Sequence, residues 1–199
     1  KITNEPIADV NLTFVCGGYN CKIGVTEWVS YGASAGLTTK FPYCVQGIIR
    51  GAAEGYDESQ AWMQTNLKGK AYTLPMTPIK LVQDYSVVKH SFKNGAVEPM
   101  EHELEDGEKA TITIKRIEKN IDDAEFETFG AYPSLTAEPY PIKLLAKDDL
   151  KYYIEAYLIK DDTIVGGYKG NWTIYNDELK RLNRLKFHVI KTDTRDDME

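Results

Sequence analysis

The sequence predicts an all-β fold, arranged as two tandem β-sandwich domains of the Ig-like or prealbumin-like kind. Three observations point there. Tyrosine is unusually frequent, at 13 of 199 residues, with 3 Trp beside it, and aromatic side chains favour pleated, half-buried surfaces. Short runs with a period of two recur between turn signals about every 8–12 residues, the spacing of sandwiches and barrels. No strand-helix-strand rhythm is present, which argues against a parallel α/β sheet.

Taken in order, residues 1–9 form a lead-in segment that either links to a preceding domain or donates a strand to a neighbouring sheet. Leu12, Phe14 and Cys16 alternate on one face of a first strand. Gly17-Gly18 turns the chain and residues 22–29 return. Residues 30–36 are small and polar, a loop. Strands are predicted over 37–41 and 45–50, broken at Pro42, which cannot donate to a ladder. Glu54-Gly55-Tyr56-Asp57 is a turn; 60–64, 71–74 and 79–82 are short strands. The texture changes over 83–90, which divides a first sandwich, 10–85, from a second, 86–191.

In the second half, Asp106-Gly107 turns into a strand at 110–117 that buries Ile112 and Ile114. Residues 120–123 form a turn and 125–129 a strand. Residues 132–141 hold three prolines and form a loop or sheet edge. Strands follow at 142–146, at 150–159, where the alternation is strongest, and at 163–168 and 172–175. Asn176 caps a helix of barely two turns over 176–182, with Asp177 and Glu178 in its first turn. The last strand covers 185–190, and 192–199 is a polar tail.

Composition narrows the function. A net charge of −6 argues against a nucleic-acid surface, which needs clustered cations. No apolar run reaches the ~18 residues of a membrane span. No basic segment followed by an apolar one opens the chain, so an export signal or anchor is expected outside this sequence or removed from it.

Three cysteines, Cys16, Cys21 and Cys44, crowd the first quarter. The spacing of Cys16 and Cys21 suits a four-residue hairpin loop, which would set them opposite each other within disulfide reach. Cys44 is then free or paired elsewhere. Three buried thiols are the plainer alternative. A disulfide implies an oxidising, extracellular compartment.

Other constellations are weak. His90, His102 and His188 are scattered, with no metal-ligand spacing. His188 is expected to face solvent, and Glu101-His102-Glu103 has the character of a charged edge strand. Asp122-Asp123, Asp148-Asp149 and Asp161-Asp162 are turn formers first, with calcium in one of these loops as the alternative. Nucleophile motifs are absent. Gly17-Gly18 and Gly166-Gly167 lack the Lys-Ser/Thr of a phosphate loop, and hairpin turns explain them. Asn11-Leu12-Thr13 and Asn171-Trp172-Thr173 are glycosylation acceptor candidates, Asn11 at a strand start and Asn171 at a turn tip. Trp28, Trp62 and Trp172 are core or sheet-face residues, or a sugar platform. No catalytic residue, cofactor or metal site is assigned.

The first half resembles surface β-sandwich modules of the PEGA and carboxypeptidase-regulatory-like kind over residues 8–82. The residues that carry the likeness are the strand 10–16, Gly17-Gly18-Tyr19, Ile23-Gly24-Val25-Thr26, Phe41-Pro42-Tyr43-Cys44, residues 45–51 and Ala53-Glu54-Gly55-Tyr56. The resemblance implies a non-catalytic, prealbumin-like sandwich of exported or envelope proteins. The function expected is a non-enzymatic building block of a cell-surface assembly, of surface-layer, filament or adhesin type. It would associate with its own copies or with neighbouring surface proteins. The alternative is a sandwich that binds carbohydrate or another small ligand.

Overall fold

A computed structural model describes residues 5–29, 33–66, 70–117, 125–134, 136, 140–147 and 149–192. The fold is all-β, with strand in 58% of the described residues and one short helix among them. It divides into two compact units. The first holds the described residues up to Ile79, together with 125 and 145–147; the second holds the described remainder from Lys80 onward. The sequence placed this boundary at 85/86, which would have cut a strand: β8 runs Asp84–Lys93 and belongs wholly to the second unit.

In the first unit β1 (Asn11–Cys16), β2 (Tyr19–Val25), β5 (Gly47–Ala52) and β6 (Ser59–Met63) form one antiparallel sheet in the order β2-β1-β5-β6. A separate ribbon pairs β3 (Glu27–Val29) with β4 (Ser34–Gly36). Part of the expected loop over 30–36 is therefore strand, and 30–32 lie outside the described residues. Conversely, the strands expected over 37–41 and 71–74 are not strands. Their apolar side chains serve the core instead. Leu37, Phe41, Leu74 and Met76 pack on a centre of Val10, Leu12, Phe14, Cys44, Ile49 and Met63.

Thr26 breaks the long return strand. Its buried hydroxyl accepts from the Val10 amide (3.0 Å) and donates to the Ile7 carbonyl (3.2 Å). Asp9 N–H donates to Thr26 O at 2.8 Å, and Ile7 packs against the core of its own unit. The described part of the lead-in, residues 5–9, is thus engaged by its own sheet; residues 1–4 lie outside the described residues.

The β1–β2 hairpin corrects the cysteine pairing. Gly17 and Gly18 alone form the turn, with φ of 55° and 90°, the left-handed pair that a two-residue type I′ turn demands. Cys16 then pairs with Tyr19, and Cys21 sits opposite Phe14. Cys16 and Cys21 become diagonal neighbours, about 7–8 Å apart and beyond disulfide reach. Cys16 bonds instead to Cys44, across a Cα separation of 6.1 Å, and Cys21 is free.

The second unit is built on a seven-stranded sheet. Its members are β8, β9 (Ala96–Val97), β10 (Glu108–Arg116), β11 (Glu127–Tyr132), β13 (Leu150–Lys160), β14 (Thr163–Ile174) and β15 (Arg184–Lys191). The order is β11-β10-β13-β14-β15-β8-β9. Neighbours are antiparallel except β15 and β8, which run parallel. Alternation is strict in β13: Leu150, Tyr152, Ile154, Ala156 and Leu158 are buried. At its end Asp161 and Asp162 form a two-residue turn, both at positive φ (50° and 59°), which Asp tolerates. The two strands expected over 163–168 and 172–175 are one, β14.

This sheet is rolled. The Tyr85 hydroxyl on β8 donates to Ala131 O on β11 (3.0 Å) and accepts from Ala131 N (3.3 Å). Those strands stand five places apart in the sheet order, about 24 Å in a flat sheet at ~4.8 Å per strand. A tyrosine cannot span that, so the two ends curl toward each other over a core that includes Ile112, Ile114, Tyr152, Val87 and Val189. β7 (Ile79–Val82) and β12 (Ile142–Leu145) pair as a two-stranded ribbon. Within the second unit, Lys143 N donates to Thr128 Oγ1 (3.1 Å) on β11.

Gly166-Gly167, expected in a hairpin turn, lies inside β14 where β15 joins it. A Cβ at Gly166 would collide with the Ile190 carbonyl oxygen. Close backbone approach, rather than a turn, requires glycine there. Helix α1 (Asn176–Arg181) then carries the chain to β15. Tyr175, not Asn176, is its N-cap, and Glu178 reaches back to the Tyr175 amide at 3.3 Å.

Candidate binding site

β6 is an edge strand, so one of its flanks is open. Met63 points into the core and pairs with Gly47; its neighbour Trp62 must then point outward, and 55% of it is exposed. Beyond β6 the chain is fastened down. Thr65 Oγ1 accepts from the Cys44 amide (2.6 Å) and donates to the Pro42 carbonyl (2.5 Å), and Thr65 N donates to Cys44 O (2.9 Å). The Cys16–Cys44 disulfide holds the same segment from the other side. The Tyr72 hydroxyl donates to Gln64 O (3.0 Å) and accepts from Gln64 N (3.2 Å). A tyrosine ring is thereby fixed beside the tryptophan.

Between them lies an open groove of about 480 Å³, lined by Val45, Gln46, Trp62, Met63, Gln64, Lys70 and Tyr72. That volume is in the range of small-ligand sites, ~300–1,000 Å³. Among the described residues, the side-chain amides of Gln46 and Gln64 have no hydrogen-bond partner. Among the described residues the groove offers aromatic faces, free amides and one ammonium, on a fixed frame. Trp62 was named from sequence; Tyr72, Gln46, Gln64 and Lys70 were not. The groove is made by folding 70–72 back on 62–64, and no spacing signals that.

The other tryptophans lie elsewhere. Trp28 is exposed on β3, and Trp172 lies against Tyr152 in a tilted pair, ring centroids 5.9 Å apart, in the second unit. Asn11 and Asn171 are both exposed. Asn11 opens β1, as expected, but Asn171 sits within β14 opposite Tyr153 and not at a turn tip.

The second unit holds two polar clusters. Glu108, its side chain wholly buried, receives Lys89 Nζ at 2.6 Å and Lys191 Nζ at 2.8 Å, while its Oε2 also accepts the Glu105 amide at 2.8 Å. Burial alone would raise the Glu108 pKa. The hydrogen bonds from Lys191, Lys89 and the Glu105 amide outweigh it and hold the carboxyl at about 2. Burial likewise disfavours the Lys89 charge, but the Glu105 and Glu108 carboxylates win and raise its pKa. These bonds tie β8, β10 and β15, helping to hold the rolled sheet.

His90 and His188 were read as scattered, 98 residues apart in sequence. The parallel pairing of β8 and β15 brings them together. His90 Nδ1 lies 3.0 Å from the Glu98 carbonyl, and its Nε2 lies 2.9 Å from His188 Nδ1. A carbonyl only accepts, so neutral His90 carries its proton on Nδ1, and His188 donates to the bare Nε2. Glu101 beside them is paired with Lys186 at 2.8 Å, which lowers its pKa. Among the described residues no three His, Cys, Asp or Glu side chains gather to hold a metal ion. Of the aspartate pairs, Asp161-Asp162 forms a turn; Asp122-Asp123 and Asp148 lie outside the described residues.

Among the described residues no helix is long and apolar enough to cross a membrane. Compared with known proteins, the sequence matches no family model and no curated protein.

Proposed function

We propose that this chain is a non-catalytic structural and interaction module of the cell exterior. The observation that supports this most is the Cys16–Cys44 disulfide, with Cys44 buried in the first core. Disulfides persist in oxidising compartments and are rare where thiols are kept reduced. We read the two units as derivatives of two tandem sandwiches. In the first, residues 37–41 and 74–76 stand in for a second sheet; in the second, residues 80–82 and 142–144 do so. The first unit is read as a PEGA-like module, since the residues that carry that likeness fall on β1, β2, β5 and the segments covering them.

Partners on this reading are further copies of the chain or neighbouring surface proteins. Both sheets are open, and strand edges such as those of β2 and β6 carry backbone groups free to pair. Asn11 and Asn171, exposed on strands, are the acceptors where the producing cell glycosylates. The test is to label intact producing cells with a membrane-impermeant amine reagent and to measure the native mass of the labelled species. Labelled chain in species larger than one copy is expected. A monomer confined to the cell interior and protected from the reagent would overturn the proposal.

A further inference from the structure

We propose that the groove between Trp62 and Tyr72 binds a saccharide, and that the sugar it accepts is a pyranose bearing a carboxylate. The ligand chemistry follows from the lining. A pyranose ring presents weakly positive C–H groups on its faces and hydroxyls around its rim. The exposed Trp62 face is electron-rich and matches the first. The hydroxyls are both donors and acceptors, and so are the amides of Gln46 and Gln64, which have no partner among the described residues. Val45 and Met63 supply the apolar remainder.

The charge selects within that class. Among the described residues, Lys70 is the one ionised side chain lining the groove and no carboxylate lines it. An anionic substituent on the sugar gives that ammonium a charge-assisted partner. A wholly apolar ligand would displace water from two amides and an ammonium and give them no partner in return. The frame is set before any ligand arrives. The Tyr72 hydroxyl grips both backbone groups of Gln64, and Thr65 and the disulfide fix residues 42–44 behind it. Such pre-organisation lowers the entropy cost of binding.

Trp62 is exposed, and its share of the fluorescence of the three tryptophans is isolated by difference against Trp62→Ala. The full-length chain is titrated with a glucuronic-acid-containing trisaccharide and with a neutral glucose trisaccharide of the same linkage. Saturable binding of the acidic sugar is expected, weakening with salt, and tighter than that of the neutral one. By calorimetry, Trp62→Ala should weaken binding about tenfold or more. Trp28→Ala, also exposed but outside the groove, should leave it unchanged. Lys70→Gln should remove the preference for the acidic sugar. Tyr72→Phe keeps the ring but loses the grip on Gln64 and should weaken both sugars. Unchanged melting of Trp62→Ala separates a lost contact from a lost fold. The proposal is overturned if neither sugar binds below about 10 mM or if Trp62→Ala binds like the parent. It is equally overturned if the two sugars bind alike irrespective of Lys70.

Discussion

Glu108 is an anion without solvent, and two ammonium groups take the place of its water. Removing the carboxylate leaves Lys89, whose side chain is 7% exposed, with Glu105 at 2.7 Å as its remaining acceptor. Glu108→Ala is therefore expected to cost about 3 kcal/mol, the low end for a broken buried pair, in urea unfolding at pH 7. Glu101→Ala, at an exposed pair, should cost less than about 1 kcal/mol. The Glu108 pKa is lowered from 4.5 to about 2 on folding. Its contribution is complete above 4.5 and lost as pH falls toward 2, on the order of 3 kcal/mol in all. An unchanged urea midpoint between pH 5 and pH 2.5 would refute this coupling. None of it was legible in the sequence. Lys89, Glu108 and Lys191 are ordinary charges in alternating runs, and only the rolling of the sheet brings them together. The histidine pair was hidden because the parallel pairing of β8 with β15 joins residues far apart in sequence.

Elements were more legible than residues. Period-two alternation places β1, β10, β13 and β15 within two residues of their ends, because each buries one face. It fails where apolar residues are not in a ladder. Leu37, Phe41 and Leu74 fill the first core from irregular segments, so their runs resemble strands. It also fails at Ser34–Gly36, where β4 has little hydrophobic signal. Glycine misled in one place: Gly17-Gly18 is a turn, but Gly166-Gly167 is a point of contact between β14 and β15. Gly166→Ala forces a methyl group against the Ile190 carbonyl and should cost about 1–3 kcal/mol by overpacking. The measurement is a thermal melt beside Gly95→Ala, where a Cβ meets nothing within 4 Å but φ is +77°. Gly95→Ala carries only backbone strain, about 1–2 kcal/mol. A Gly166→Ala protein that melts with the parent would show that β15 does not approach β14 as described.

For the whole molecule, the all-β class followed from composition and turn spacing, but the roll of the second sheet and the division at 79/80 did not. Both depend on contacts distant in sequence, such as Tyr85 with Ala131. The cysteine pairing turned on one detail, a two-residue turn where four residues had been expected, and the reading of the molecule as an exported module rests on it. The most direct test is non-reducing peptide mapping of the protein isolated from the cells that make it, alkylated at harvest. The expected result is a linked peptide containing Cys16 and Cys44, with Cys21 alkylated as a free thiol. Three alkylated cysteines would contradict the exported assignment, and a Cys16–Cys21 linkage would contradict the hairpin register on which the first unit is built.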